Sequence, residues 1–227
     1  MFKLIIMKMI LWIKKTLGLV IKKLDRETIS SEKALKEDMK YLIVGLGNME
    51  SSYENTRHNI GFLAADALVA DKDGQYEVVK LGLQAIIKHK GRTLIVHKPN
   101  TYMNLSGKAV RYWMEKHKIK KENILILVDD IHTDFETIRL RTKGSNAGHN
   151  GLKDIDQRIG GNNYSRLKIG IGADFRQGRQ VDYVLGKWSA NEKAKLPEIL
   201  DRTTAAIKDF VSIGAARAMT IHNRKSK

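Results

Sequence analysis

From residue 40 onward, short apolar runs alternate with one-sided apolar stripes. Residues 41–45, Tyr-Leu-Ile-Val-Gly, form a run rich in β-formers that stops at Gly45, which predicts a strand. Ile60, Leu63, Ala64, Ala67 and Leu68 then share one face at helical spacing, which predicts a helix over 59–71. Three β-like runs follow at 77–81, 84–89 and 93–98, split by Gly82 and Gly91 as hairpin strands would be. Residues 99–107 are a loop and 108–118 a helix. Residues 124–128 are apolar throughout and only long enough for a buried strand. In 137–141, Ile138 and Leu140 alternate with Arg139 and Arg141. Residues 144–151 are a Gly/Asn/Ser loop, 152–159 a short helix, and 166–171 another strand. Ser189 with Glu192 has the spacing of a capping box that opens a C-terminal helical region. Strands and helices interleave without internal repeats, so the predicted class is α/β: a single globular domain with a central mixed β-sheet surrounded by helices.

Residues 1–38 break this pattern. Residues 1–24 carry six lysines and no acid among many Ile, Leu and Met. The lysines keep every apolar run below the roughly 18 residues that span a bilayer. The segment reads as an N-terminal basic and apolar extension. A basic amphipathic helix lying on a membrane, a targeting segment, and non-native sequence upstream of a start at Met39 are its three readings. The last is preferred, because a compact domain is predicted over 39–227.

The chain carries 41 basic and 25 acidic residues in 227, a formal charge of +16. The extension holds nine basic and five acidic residues, so +12 remains on the domain. That balance points to a polyanionic partner. The absence of cysteine excludes disulfides, Cys-based metal sites and a Cys nucleophile. Gly45-Leu-Gly47 after a strand suggests a dinucleotide fingerprint, but Glu50 stands at the third glycine position. An acid there opposes a pyrophosphate, and the reading is rejected. His132 and Asp134 lie near Asp129 and Asp130 without a matching ligand cluster elsewhere, so no metal is expected.

A histidine that activates water is the simplest remaining chemistry. His58 is the candidate, placed between a predicted strand end and a helix start. Such a base needs an acceptor on its other ring nitrogen. The Asp129-Asp130 pair after the 124–128 strand is suitably placed, although a turn or helix cap would use the same residues. Asn48, Asn104 and Asn150 sit in loops beside strand ends, where an amide can hold a water, a carbonyl or a ribose hydroxyl.

Gly45-Leu-Gly-Asn48, Thr56-Arg-His-Asn59, Met103-Asn-Leu-Ser-Gly107, Gly148-His-Asn-Gly-Leu-Lys-Asp154 and Arg166-Leu-Lys-Ile-Gly-Ile-Gly172 occur in this order, and with Leu185-Gly-Lys187 they resemble the bacterial-type peptidyl-tRNA hydrolases from Met39 onward. The resemblance implies hydrolysis of the ester between a peptide and the 3′-terminal ribose of tRNA, in the cytoplasm, by a monomer without metal or organic cofactor. It implies that His58 is the catalytic histidine and Asp130 the aspartate that holds its basic form. Asn48 would help recognise the blocked amino group. Tyr53, Tyr102, Asn104 and Asn150 would contact the tRNA end or the peptide, and Met103 and His149 would line the same cleft. For the phosphates of such a substrate, Arg139, Arg141 and Lys143 offer a row of cations that Lys108, Arg111, Arg166 and Lys168 extend, and Arg141, Lys143 and Lys168 are taken as tRNA-binding. The sequence departs from the family's Pro-Gly at Met49-Glu50, and from its usual proline and glycine at 131–136. A non-catalytic RNA-binding relative is the alternative reading, and a membrane contact through residues 1–24 the more remote one.

Overall fold

The computed structural model describes residues 39–224. The readings of residues 1–38 fall outside the described residues. Seven strands and six helices follow in chain order: β1 (Lys40–Gly45), α1 (Ile60–Ala70), β2 (Glu77–Val79), β3 (Gly82–His89), β4 (Arg92–Pro99), α2 (Ser106–His117), β5 (Ile124–Asp130), β6 (Ile138–Arg141), α3 (Asn150–Ile159), β7 (Ser165–Gly170), α4 (Gln180–Val184), α5 (Ala190–Ile213) and α6 (Ala215–His222). They build one mixed sheet of order β2-β3-β4-β1-β5-β7-β6. The four inner strands β4, β1, β5 and β7 are parallel, and the β2–β3–β4 meander and β6 supply the antiparallel edges.

Alternation along the strands sorts the core into two layers. Leu42 and Val44 of β1 and Ile124, Ile126 and Val128 of β5 pack with Val110, Trp113, Leu152 and Ile155 from α2 and α3. Ile43, Leu125 and Leu127 face the other way, onto Ile60, Ala64 and Leu68 of α1 and Ile207 and Phe210 of α5. Each fully buried side chain of this size contributes about 1.5–3 kcal/mol. An exposed pair such as Arg111–Glu115 contributes at most about 1 kcal/mol. Packing therefore sets the frame on which the loops stand.

Helix α1 lies close to the sheet through glycines. A Cβ at Gly45 would collide with the Gly61 backbone, and one at Gly61 with the backbone of Leu46 and Leu127. A Cβ at Gly47 would meet the Phe62 ring. These glycines thus serve close packing of strand, turn and helix.

The elements depart from expectation chiefly at their ends, and there the difference matters. Strand β5 runs on through Asp129 and Asp130 instead of stopping at Val128. Helix α2 begins at Ser106, after a 3-10 turn at Met103–Leu105, and α3 begins at Asn150. The Asp154 carboxylate accepts from Gly107 N at 2.8 Å, so the start of α2 is held directly against α3. The capping box forms as predicted: Glu192 N donates to Ser189 Oγ, and Ser189 N to Glu192 Oε2.

Candidate active site

The parallel strands all end at one edge of the sheet, and β1 there has β4 on one side and β5 on the other. Ligands bind at that position in open α/β sheets, beyond the carboxyl ends of the strands. A cleft of about 260 Å³ opens there. Asn48, Tyr53, His58, Met103, Asp129, Asp130, His149, Asn150 and Lys168 line it, and Gln180, Val181, Val184 and Leu185 from around α4 form a further wall. Nine of the residues named from the sequence therefore meet in one place.

His58 sits in a 3-10 turn, Arg57–Asn59, that leads into α1. Its Nδ1 lies 3.0 Å from both carboxylate oxygens of Asp129. This corrects the expectation that Asp130 orients the histidine. Because β5 includes both aspartates, they point to opposite faces of the sheet. Asp129 shares the face of Leu125 and Leu127, where α1 packs, and meets His58. Asp130 faces with Val128 toward Lys168, its register neighbour's partner on β7. Lys168 Nζ donates to Asp130 Oδ1 at 3.1 Å, and Thr133 Oγ1 donates to Oδ2.

Asp129 serves a second histidine. His149 Nε2 is 3.1 Å from Asp129 Oδ1, and the two imidazole centroids are 5.0 Å apart. His149 also caps α3: its Nδ1 accepts from Gly151 N at 3.1 Å and Leu152 N at 3.3 Å. An Nδ1 that accepts two backbone bonds carries no proton, so the His149 proton sits on Nε2 and points at Asp129. Burial works to raise the Asp129 pKa, but the two imidazoles and their hydrogen bonds win and hold it well below the usual carboxylate range. Burial works to lower the His58 pKa, yet the charge and hydrogen bond of Asp129 outweigh it and leave the pKa raised above 6.5. With Nδ1–H donated to Asp129, His58 Nε2 is the basic nitrogen left to the cleft.

His58, Asp129 and His149 also bring three potential metal ligands within 4.8 Å of one another. The donor set does not suit a cation. His149 would offer Nε2 only in the tautomer that protonates Nδ1, which abolishes its cap on α3.

Asn48 is fixed by a residue the sequence did not single out. Its backbone N–H donates to Asn59 Oδ1 at 2.8 Å, and Asn59 Nδ2 returns a bond to Asn48 O at 2.9 Å. Asn59 is buried, and this reciprocal pair pins the turn after β1. Neither Met49 nor Glu50 has a positive φ, so the departure from Pro-Gly imposes no left-handed backbone. In the other divergent loop, Glu136 does sit at φ 67°, a conformation that costs a non-glycine residue roughly 1–2 kcal/mol.

Tyr102 and Asn104 are exposed and lie outside the cleft lining. Tyr102 lines a neighbouring hollow with Asn48, Met49, Leu105 and Lys108, and Asn104 follows Met103 on the 3-10 turn. Arg139, Arg141 and Lys143 line a second hollow of about 450 Å³ that shares Asp130, Ala147 and Lys168 with the cleft. Arg166 differs from the other cations of the proposed row. It is fully buried, donates to Gly144 O, Ser145 O and Asn162 O, and stacks on Tyr164. Its charge is spent inside the protein, bracing the loop that carries His149. Arg111 pairs with Glu115 on α2 and lines neither hollow.

A histidine oriented by a buried carboxylate, in a cleft at the carboxyl edge of an α/β sheet, has the geometry to take a proton from a water. The model of the family described as Peptidyl-tRNA hydrolase matches residues 42–227, and the chain belongs to that family. The peptidyl-tRNA hydrolase of Parabacteroides distasonis is 53% identical over 187 residues, which are 82% of this chain and 100% of that protein. That of Cytophaga hutchinsonii is 51% identical over the same shares. The crystal structure of peptidyl-tRNA hydrolase from Acinetobacter baumannii superposes with a TM-score of 0.78 at 34% identity, covering 83% of this chain and 97% of that one.

Proposed function

We propose that this protein hydrolyses the ester joining a peptide, or an N-blocked amino acid, to the 3′-terminal ribose of tRNA. The observation that carries the reading is the His58–Asp129 pair inside the cleft of a chain that belongs to this family. His58 Nε2 takes a proton from a water, and the resulting hydroxide attacks the ester carbonyl carbon. The ribose 3′-oxygen leaves with the proton carried by the imidazolium, giving a free peptide acid and a free tRNA. Asp129 holds Nδ1–H and stabilises the imidazolium. A positioned base of this kind contributes typically about 10²–10⁴-fold. An ester leaving group makes that sufficient without covalent catalysis.

Asn48, Tyr53, Met103 and Asn150, all in the cleft lining, are assigned to the peptide and the terminal ribose. Tyr102 and Asn104 at the rim extend that surface toward the tRNA end. Arg141, Lys143 and Lys168 face the adjoining hollow, which suits a tRNA phosphate. Asp130 holds Lys168 in place and takes no part at the ester. The site is complete within one chain, which supports a monomer. A tRNA substrate places the activity in the cytoplasm. Among the described residues no helix is long and apolar enough to cross a membrane.

Turnover of N-acetylated aminoacyl-tRNA by the wild type and by His58→Ala tests the reading. Wild-type release of the acetylated amino acid, lost by at least about 10²-fold in the variant, is expected. A wild type that binds tRNA without hydrolysing it would leave a non-catalytic RNA-binding protein.

A further inference from the structure

The turn that carries His58 has no side-chain cap of its own. It is fastened from outside, by the residue before the histidine. Arg57 N–H donates to Gly186 O at 3.1 Å, and Thr56 bridges Lys187 in antiparallel fashion. The Arg57 guanidinium then uses all three nitrogens on the same segment. Its Nε and Nη2 meet the two oxygens of Glu192 at 3.1 and 2.8 Å, and Nη1 donates to Tyr183 O at 3.3 Å. Its face lies 4.4 Å from the Tyr183 ring centroid and 5.5 Å from that of Trp188.

Glu192 is itself anchored. Its Oε2 accepts from Ser189 N at 2.7 Å, closing the capping box of α5. The pair is largely enclosed, with 12% and 17% side-chain exposure. A bidentate, stacked and enclosed guanidinium is a directional joint, unlike an exposed ion pair. It ties three things together: the His58 turn, the start of α5, and the Tyr183–Leu185 stretch whose Val184 and Leu185 wall the cleft.

We infer that Arg57 is a positioning residue for the reaction: through Glu192, Tyr183 and Trp188 it sets how His58 is presented to Asp129 and to the opposite wall of the cleft. It touches no reacting atom. Misplacing a catalytic group by about 1 Å costs up to about 10²-fold, so a loosened joint is read mainly in kcat. The phosphate-facing cations lie on other elements, so KM should hardly move.

Arg57→Lys keeps the cation but cannot fork or stack, and Glu192→Gln keeps the size and the capping oxygen but loses the charge. Both rest on the hydrolase reading and are assayed with N-acetylated aminoacyl-tRNA, well below the unfolding temperature of each variant. Arg57→Lys is expected to lower kcat about tenfold with KM within about twofold. Glu192→Gln should act in the same direction, and the double variant should be no worse than Arg57→Lys, because the two residues form one unit. The acidic limb of the rate profile should also move to lower pH as His58 loses its alignment on Asp129. The titratable groups facing His58, Asp129 and His149, remain in Arg57→Lys, and so does the positive charge at position 57. Wild-type turnover with unchanged kcat and acidic limb in both single variants, or with a change in melting temperature alone, overturns the inference. If Arg57→Lys does not fold, Glu192→Gln decides. Absence of wild-type turnover overturns the hydrolase reading and this inference with it.

Discussion

His58 and Asp129 meet across the gap between a helix start and a strand end, with the imidazole Nδ1 equidistant, at 3.0 Å, from the two carboxylate oxygens. Asp130, the next residue along, turns to the other face of the sheet and pairs with Lys168. The two aspartates should therefore separate cleanly in kinetics. Asp129→Asn replaces an acceptor by a group that can donate to Nδ1 and favours the tautomer that protonates Nε2. A fall in kcat of about 10²–10⁴-fold is expected. Asp130→Asn leaves His58 and its partner intact and should act mostly through KM, by releasing Lys168. Steady-state kinetics on N-acetylated aminoacyl-tRNA compare them, and equal loss of kcat in both would sink the assignment.

The rate should have an acidic limb. In the proposed mechanism His58 works as the neutral base, and its pKa is raised above 6.5 by the charge and hydrogen bond of Asp129, which outweigh burial. Activity is then present above the raised pKa and lost as pH falls through it. The midpoint for kcat/KM should lie above 6.5, and Asp129→Asn should move what activity remains to lower pH. A profile flat from pH 5 to 8 contradicts a histidine base.

Salt dependence should map onto one hollow and no other surface. Arg141→Ala and Lys143→Ala each remove a cation facing it. Each should reduce the slope of log affinity for deacylated tRNA against log salt by about one. Arg111→Ala, whose cation is paired to Glu115 on α2, should leave the slope unchanged. Filter binding across a salt series measures all three.

His97 on β4 predicts a loss of stability in acid. It is fully buried, donates from Nε2 to Leu81 O at 3.2 Å, and leans on Trp113 at 5.6 Å. Burial lowers its pKa to about 4. The folded state keeps His97 neutral while the unfolded chain protonates below about 6.5, so stability is full above that pH and falls as pH drops toward 4. Between pH 7 and 5 the cost is about 2 kcal/mol by linkage. His97→Gln should flatten the difference in urea unfolding free energy between those two pH values by about this amount.

Much of the frame could be read from the sequence, because apolar runs and stripes are what the sheet and its two helical layers bury. The 41–45, 93–98, 124–128 and 166–171 runs mark all four parallel inner strands. What escaped was set by element ends and by distant pairs. Strand β5 runs two residues past its last apolar side chain, and only that extension lets alternation send Asp129 and Asp130 to different faces. The start of α3 at Asn150 makes His149 a cap, whereas a start at Leu152 leaves it an ordinary loop residue. Arg57 and Glu192 are 135 positions apart. Glu192 was recognisable as a capping-box residue, but nothing near Arg57 announces its partner. Arg166 looked like one more surface cation, and burial gave it the opposite task.

The contact between Gly45 and Gly61 has a consequence for mutational tolerance. The helix that follows His58 rests on the sheet backbone to backbone, with no side chain between to yield or re-pack. The spacing of base and carboxylate is thus inherited from main-chain atoms, and a single methyl group added at either glycine would pry helix from strand. In a library of random substitutions, positions 45 and 61 should be among the emptiest outside the cleft, although neither residue lines it.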